Sequence, residues 1–496
     1  MVDNRQDQAN GTPHVVIVGG GIAGLAAAFL LRDQPVRLTV LEGASRFGGK
    51  LSVSEVAGVP IDEGAEALYR WRPKTTRLIT AAGLGDALTS VGTTSMAVWT
   101  RDDIRPLPDG QFMGVPSDMD ALARSGVLSG EGVARAREDL TLPSTDRNGD
   151  ASVASYVAGR LGQEVVDRLV DPFLNSVFSG RADELSFDAT LTPLAAVSHK
   201  HASLAEAAGS LIPQPSTTSD EQPSGIATIA GGLGTLPQTL VDAALAASPE
   251  ATMRTGATVT ELSRTEHGWR LTVGSAADSE YIDADAVIVA VPAGPASRLL
   301  AGVPETTPAA AALAEIPYAS MATITLAYPP QAFPSGFAER RLSGYRVPAV
   351  DGRMVKEVTF STVKWPHLAG DVEIVRCTVG RTGEEELLRR DDADLAAQAA
   401  SELAEATGVA GHPVATRVSR WHDALPQYTV GHLDRVERVR ASIAAQPGLA
   451  ACGAVYDGVG VGQCMATARQ AVDQVLGWLN SDTSAAAPPA AAQGQG

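Results

Sequence analysis

Two kinds of apolar stretch alternate along this chain. The first is short and apolar at nearly every position: HVVIV at 14–18, RLTVL at 37–41 and DAVIVAV at 285–291. Unbroken runs of this length, rich in β-branched residues, predict strands covered on both faces, as in a parallel sheet. The second kind is longer and repeats its apolar residues at helical spacing, at 22–32, 152–161, 163–169, 388–406 and 462–479. Another helix is predicted from the glycines of AGGLG (230–234) to about Ala246. Residues 117–210 read mainly as helix, with Ser129 opening one segment and Asp171-Pro172-Phe173 breaking the pattern. Strands are predicted at 256–262 and 269–273, joined as a hairpin through Glu266-His267-Gly268, and at 323–327, 355–361 and 373–379. Leu51 to Pro60 reads as a strand and a turn, and 452–461 as a strand running into a turn. PLPDGQFMGVP (106–116) and the Pro-, Ser- and Thr-rich 211–225 read as loops.

The turn between the first strand and the first helix carries the first chemistry. Gly19, Gly20, Gly21, Ile22, Ala23 and Gly24 spell G-x-G-x-x-G. Gly19 permits a tight turn, Gly21 lets a pyrophosphate approach the backbone, and Gly24 lets the helix pack against the sheet. The helix start presents free N–H groups and a positive dipole end to that phosphate. Glu42 ends the second strand, at the distance where an acid binds a ribose hydroxyl. Strand, turn, helix, strand and acid together predict a dinucleotide site, for NAD or FAD.

The next residues favour FAD. Glu42, Arg46, Gly48 and Gly49 form E-x-x-x-R-x-G-G, followed by Lys50. This resembles the extended fingerprint of the amine oxidase and phytoene desaturase flavoproteins, in which the arginine and paired glycines continue the cofactor site beyond the ribose. That resemblance also implies flavin contacts at the D-x-G segment, Asp62-Glu63-Gly64, continuing through Ala65, Glu66 and Ala67. It places Val259 at the adenine through its backbone, and Ala454, Val459, Gly460 and Val461 at the far end of the flavin.

Charge and cysteines narrow the class. A formal net charge of −18 over 496 residues argues against nucleic acid and against a basic membrane patch. No apolar run reaches a transmembrane length, and the polar N-terminus carries no signal-peptide pattern. Cys377, Cys452 and Cys464 are widely spaced, which supports neither a disulfide framework nor a metal site. A cytoplasmic enzyme is expected.

Later blocks are more specific. Asp171-Pro172-Phe173, Val177-Phe178-Ser179-Gly180 and Glu184-Leu185-Ser186 form one set. Thr359 to His367 (TFSTVKWPH), Val379 to Gly383 (VGRTG), Pro426-Gln427-Tyr428 with Gly431-His432, and Tyr456 to Val461 (YDGVGV) follow. Together they resemble the protoporphyrinogen oxidase family, which includes the bacterial coproporphyrinogen III oxidases; the resemblance runs from about Val15 to Leu479. It implies an α/β fold in three parts: a Rossmann-like FAD domain (14–90 with 225–300 and 440–480), a mainly helical domain (91–210) and an inserted mixed-sheet substrate domain (301–439). Residues 1–13 and 481–496 are expected to be flexible tails. It implies oxidation of a porphyrinogen to a porphyrin by O2, with peroxide formed, the macrocycle losing hydrides to the flavin and protons from its N–H groups. No side-chain base is nominated. Coproporphyrinogen III, a tetra-anion, is favoured over protoporphyrinogen IX, and Arg72 is the first candidate to bind its carboxylates, ahead of Arg70, Lys74, Arg181 and Lys200. Glu66 stands where some relatives carry arginine, and a carboxylate facing the substrate there would repel it. An amine oxidase-like enzyme and a non-catalytic FAD-binding scaffold are the competing readings. Product handover to a ferrochelatase is compatible with the resemblance, and no pattern sets the oligomeric state.

Overall fold

The computed structural model describes residues 11–70, 73–143, 149–213, 225–275 and 277–485. Its centre is a five-stranded parallel sheet in the order Thr252–Arg254, Arg37–Leu41, His14–Val18, Ala286–Val289, Leu449–Ala451. Every residue of His14–Val18 is buried, because alternate side chains serve two cores. Val15 and Ile17 face the helices Ile22–Leu31 and Val461–Ala485. Val16 and Val18 face Trp269, Leu271 and the helix Ala293–Ala301. In Ile22–Leu31 the small residues Ala23, Gly24, Ala26, Ala27 and Ala28 let the helix nest between the sheet and Val461–Ala485. Its buried Leu25 and Phe29 each contribute about 1.5–3 kcal/mol of transfer free energy. An antiparallel meander, Val259–Thr265, Gly268–Ser275 and Asp278–Ala284, covers part of the second face.

A second sheet has seven strands, in the order Ala415–Pro426, Tyr318–Tyr328, Glu373–Val379, Val355–Phe360, Gly344–Arg346, Met96–Thr100, Asp103–Pro106. Its two faces differ. Tyr345, Val358, Phe360, Val375 and Cys377 pack with Leu395, Ala399 and Leu403 of the helix Asp392–Thr407. The opposite face carries Arg346, Glu357, Thr359, Arg376 and Thr378, one register position away. Met96–Thr100 and Asp103–Pro106 fall within 91–210, expected to be mainly helical; they instead extend this sheet, and the helices begin at Met119–Ser125.

The helical part is built on serine caps. Ser129 Oγ accepts from Gly132 N at 2.9 Å, and Ser152 caps Val153–Leu161. Asp171-Pro172-Phe173 does not end the helix: Gln163–Val165, Val166–Val170 and Asp171–Phe178 follow without a gap, and the irregular turn before Pro172 accommodates its missing N–H. The preceding turn, Val166–Val170, is π-helical. The last helix runs to Ala485, so residues 481–485 of the expected C-terminal tail are helical. Residues 1–10, 486–496 and most of the predicted loop 211–225 (214–224) lie outside the described residues. Among the described residues no helix is long and apolar enough to cross a membrane, and no cluster of His, Cys, Asp and Glu could hold a metal.

Candidate cofactor site and active-site cleft

The chain crosses from one side of His14–Val18 to the other, with Arg37–Leu41 on one flank and Ala286–Val289 on the opposite one. Such a reversal opens a crevice at the carboxyl ends of the strands. A cavity of about 540 Å³ lies there. Gly19, Gly21, Ile22 and Ala23 line it after the first strand, and Glu42 after the second. Gly49, Lys50 and Ala65 follow along one wall, with Val259 on another, and Ala454, Val459 and Val461 at the far end.

The glycines divide by task. Gly21 is open, and a Cβ there would meet nothing within 4 Å. A Cβ on Gly24 would lie 1.9 Å from the Gly19 carbonyl oxygen, so this residue is a packing requirement behind the cavity. Gly20 is likewise behind it, beneath Phe47, and its N–H donates to Glu42 Oε2 at 2.6 Å. The other Glu42 oxygen accepts from Ala44 N at 2.7 Å, which fixes the carboxylate at the strand end.

Several expected contacts lie away from the wall. Arg46 donates to the carbonyls of Phe47, Leu51 and Gly49, at 3.1, 3.0 and 2.7 Å, and shapes the loop that presents Gly49 and Lys50. Gly64 is glycine because a Cβ would sit 2.0 Å from the Lys50 carbonyl oxygen; its neighbour Ala65 reaches the cavity. Gly460 opens the last helix, its carbonyl accepting from Gln463 N and Cys464 N. Ala67 is not part of the wall.

Glu66 turns away from the cavity into the polar face of the large sheet. It forms an ion pair with Lys364 and a second with Arg376 Nη1 at 3.2 Å. Burial alone would raise its pKa, but the two cations hold the carboxyl down at about 2. Its charge is therefore paired with two cations of the sheet side rather than standing alone. Arg376 Nη2 also donates to Gly64 O at 2.6 Å, tying this loop to the sheet. Asp62 anchors the same loop from the other side, accepting from Leu233 N and Gly234 N at 2.8 Å each. Burial pushes its carboxyl up to about 6. The AGGLG glycines thus serve as a dock for Asp62.

Gln427 and Tyr428 join three parts of the chain. Gln427 Nε2 donates to Phe178 O at 2.7 Å, at the end of the helix Asp171–Phe178. Tyr428 Oη donates to Ala454 O at 2.5 Å and accepts from Gly458 N at 2.9 Å, bracing the loop at the far end of the cavity. His432 stacks on Tyr428 with ring centroids 3.8 Å apart, and its Nε2 meets Val455 O at 3.0 Å. Burial holds its pKa down at about 4, so it is a neutral structural residue. His367 and His422 are exposed.

The expected substrate cations are dispersed. Arg72 lies outside the described residues. Arg70 Nη2 donates to Leu88 O at 3.1 Å, Arg181 pairs with Asp183, and Lys74 and Lys200 are exposed. Sequence reasoning missed Thr258, Pro292, Arg298, Tyr318, Pro426 and Cys464, all of which line the cavity. The signal for Pro292 was available: it closely follows a buried strand, at the carboxyl-end position where α/β sheets bind ligands. Tyr318 and Pro426 come from the second sheet and no local pattern marks them.

A glycine cradle at a parallel-sheet switch point, closed by loops from a second sheet, defines a dinucleotide-dependent oxidoreductase architecture. The comparisons agree. Residues 22–476 match the family described as flavin containing amine oxidoreductase. Coproporphyrinogen III oxidase of Bacillus subtilis (strain 168) is 30% identical over 484 residues, covering 95% of this chain and 100% of the relative. That of Mycobacterium tuberculosis (strain ATCC 25618 / H37Rv) is 35% identical over 474 residues, covering 94% and 98%. Among solved structures, one from Exiguobacterium sp. 255-15, provisionally named a protoporphyrinogen oxidase, superposes with a TM-score of 0.81 at 28% identity, covering 94% and 99%. Putrescine oxidase, at 15% identity and a TM-score of 0.67, shares the fold. The chain belongs to the flavin-containing amine oxidoreductase family, in the group of the coproporphyrinogen and protoporphyrinogen oxidases, and is a FAD-dependent oxidoreductase.

Proposed function

We propose that this enzyme oxidises coproporphyrinogen III to coproporphyrin III with O2 as the acceptor and hydrogen peroxide as the second product, in the cytoplasmic synthesis of haem. One observation carries the reading beyond the family. The motif residues that separate this group from amine oxidases converge on the loops around the cofactor cavity: Lys364 of the K-W-P-H block on Glu66, and Tyr428 of the P-Q-Y block on Ala454 and Gly458. Relatives named coproporphyrinogen III oxidase in Bacillus, Mycobacterium and Propionibacterium, all matched over nearly their whole length, support the same substrate.

The cavity fits FAD. Gly21 leaves its wall open for a pyrophosphate, Glu42 stands fixed for a ribose, and Val461 begins a helix whose free N–H groups face the far end. Gly19, Gly21, Ile22, Ala23, Glu42, Gly49, Lys50, Ala65, Val259, Ala454, Val459 and Val461 would hold it. Gly20, Gly24, Arg46, Gly64, Glu66 and Gly460 would shape that wall from behind. Bound FAD would supply acceptance of hydride equivalents and their transfer to O2. The protein's own residues would bind the macrocycle and orient it against this cavity. The test is porphyrin fluorescence appearing in air from coproporphyrinogen III and protoporphyrinogen IX in parallel, with peroxide assayed. Faster turnover of the first is expected. Preference for the second would move the enzyme to protoporphyrinogen, and turnover of neither would remove the porphyrinogen reading.

A further inference from the structure

The polar face of the seven-stranded sheet meets different parts of the chain along its width. At one end Val98 packs into the core of the helical part. At the other, Arg376 is tied to Glu66 and Gly64, and Ile374 and Ala327 pack with Val56 and Ile61. Arg346, Glu357, Thr359 and Thr378 lie between, on adjacent strands and on one face, and all four are only partly buried. They form a polar patch that reaches from Phe173 of the helix Asp171–Phe178 toward Arg376 and the loop that follows Gly64.

Arg346 is unlike Arg376 on the neighbouring part of the sheet and Arg381 just beyond its strand. Arg376 and Arg381 spend their guanidinium groups on carboxylates and carbonyls. Among the described residues no hydrogen bond or salt bridge holds Arg346, and its Nε is sealed from solvent without an acceptor. Its guanidinium lies 5.2 Å from the Phe173 ring centroid, on the helical wall. Burial lowers its pKa, while Glu357 and Tyr69 oppose that shift. Glu357 is its cross-strand partner, yet no ion pair joins them. A partly buried guanidinium with its fork unused is a site for a planar anion.

We propose that Arg346 anchors a carboxylate of the substrate on this polar face of the sheet, and that Glu357 weakens that anchor by competing for the same cation. The inference rests on the porphyrinogen reading and adds to it the residue that selects a carboxylated macrocycle. Losing a charge-assisted hydrogen bond at such a site weakens binding about 10- to 100-fold.

The test uses the purified flavin-loaded enzyme and its Arg346→Leu, Arg346→Lys and Glu357→Gln variants. Two quantities are read: KM and kcat for coproporphyrinogen III, and the Kd of coproporphyrin III by fluorescence titration, with the tetramethyl ester as the carboxylate-free control. Arg346→Leu is expected to raise KM and Kd about 10- to 100-fold, with kcat falling less, and Arg346→Lys to recover part of the loss. Glu357→Gln is expected to tighten both. The ester should bind wild type and Arg346→Leu alike. Turnover by the wild type with unchanged KM and Kd in Arg346→Leu overturns this assignment alone. Absence of turnover of any porphyrinogen by the flavin-loaded wild type overturns the underlying reading.

Discussion

Replacing Glu66 with glutamine should cost the folded protein about 3–5 kcal/mol, the usual penalty for removing one member of a buried ionic cluster. The structure sets the scale independently. Holding the Glu66 carboxyl at about 2 instead of 4.5 corresponds to roughly 3 kcal/mol, at 1.36 kcal/mol per tenfold change in proton affinity. Glutamine keeps the shape but leaves Lys364 and Arg376 as two unneutralised cations behind the Gly64 loop. Unfolding entropy near 2.1 cal/mol/K per residue gives about 1 kcal/mol/K for the whole chain, so the melting temperature should fall about 3–5 °C. The assay is calorimetry at pH 7, with flavin release followed in parallel. The pH dependence has a definite sign. The folded pKa is depressed, so this stabilisation is complete above pH 4.5 and is lost as pH falls toward 2, where wild type and variant should converge. Adding Lys364→Gln to Glu66→Gln should recover part of the loss, because it removes one uncompensated cation. A drop below 1 °C, or a double variant no more stable than the single, would refute the account of Glu66 as the counter-ion of a buried cluster.

Other outcomes follow from residues already placed. Gly24→Ala should yield protein without flavin, since the added Cβ meets the Gly19 carbonyl at 1.9 Å; full visible flavin absorbance in the purified variant would contradict this. Tyr428→Phe strands Ala454 O and Gly458 N and should weaken FAD binding about tenfold, checked by recovery of flavin fluorescence on dilution. His14 and His432, both held at about 4 by burial, should make stability fall as pH drops from 6.5 toward 4, because the unfolded chain binds protons there that the folded chain refuses. Urea midpoints that stay flat across that range would exclude it. Lys356, buried between Ser179 Oγ and Gly380 O with its pKa lowered to about 7, makes folding less favourable as pH falls from 10.5 toward 7. Lys356→Met should flatten that slope in melting temperature, and a variant with the wild-type slope would count against it.

The strands of the nucleotide sheet were legible because each is covered on both faces, and burial on both sides erases the alternation that makes strands ambiguous. The glycine turn was legible because its spacing is local. What the sequence hid is distant or context-bound. Glu66 looked like a misplaced charge because its partner Lys364 stands 298 positions away. Gly64 was recognisable as required, but its reason, the Lys50 carbonyl, belongs to packing. Pro172 suggests a break to any local rule, and the π-helical turn before it lets the helix continue. Arg346 sits on a three-residue strand, too short for periodicity to reveal which face it occupies. Met96–Thr100 and Asp103–Pro106 precede a long helical run and join a sheet whose other members follow residue 317.

The order of strands in the central sheet also fixes a schedule. Its middle strand, His14–Val18, is made before its neighbours, whereas the edge strand Leu449–Ala451 and the helix Val461–Ala485 that packs on Ile22–Leu31 follow more than 400 residues later. At roughly 5–20 residues per second, about 20–90 s separate the first of these from the last. During that interval an apolar strand stands ready to pair with any exposed edge. The cofactor cavity, whose far end is Ala454 to Cys464, is therefore completed only after residue 464 has left the ribosome. Flavin capture should wait for that segment, and a nascent chain stalled before residue 449 should show no yellow colour.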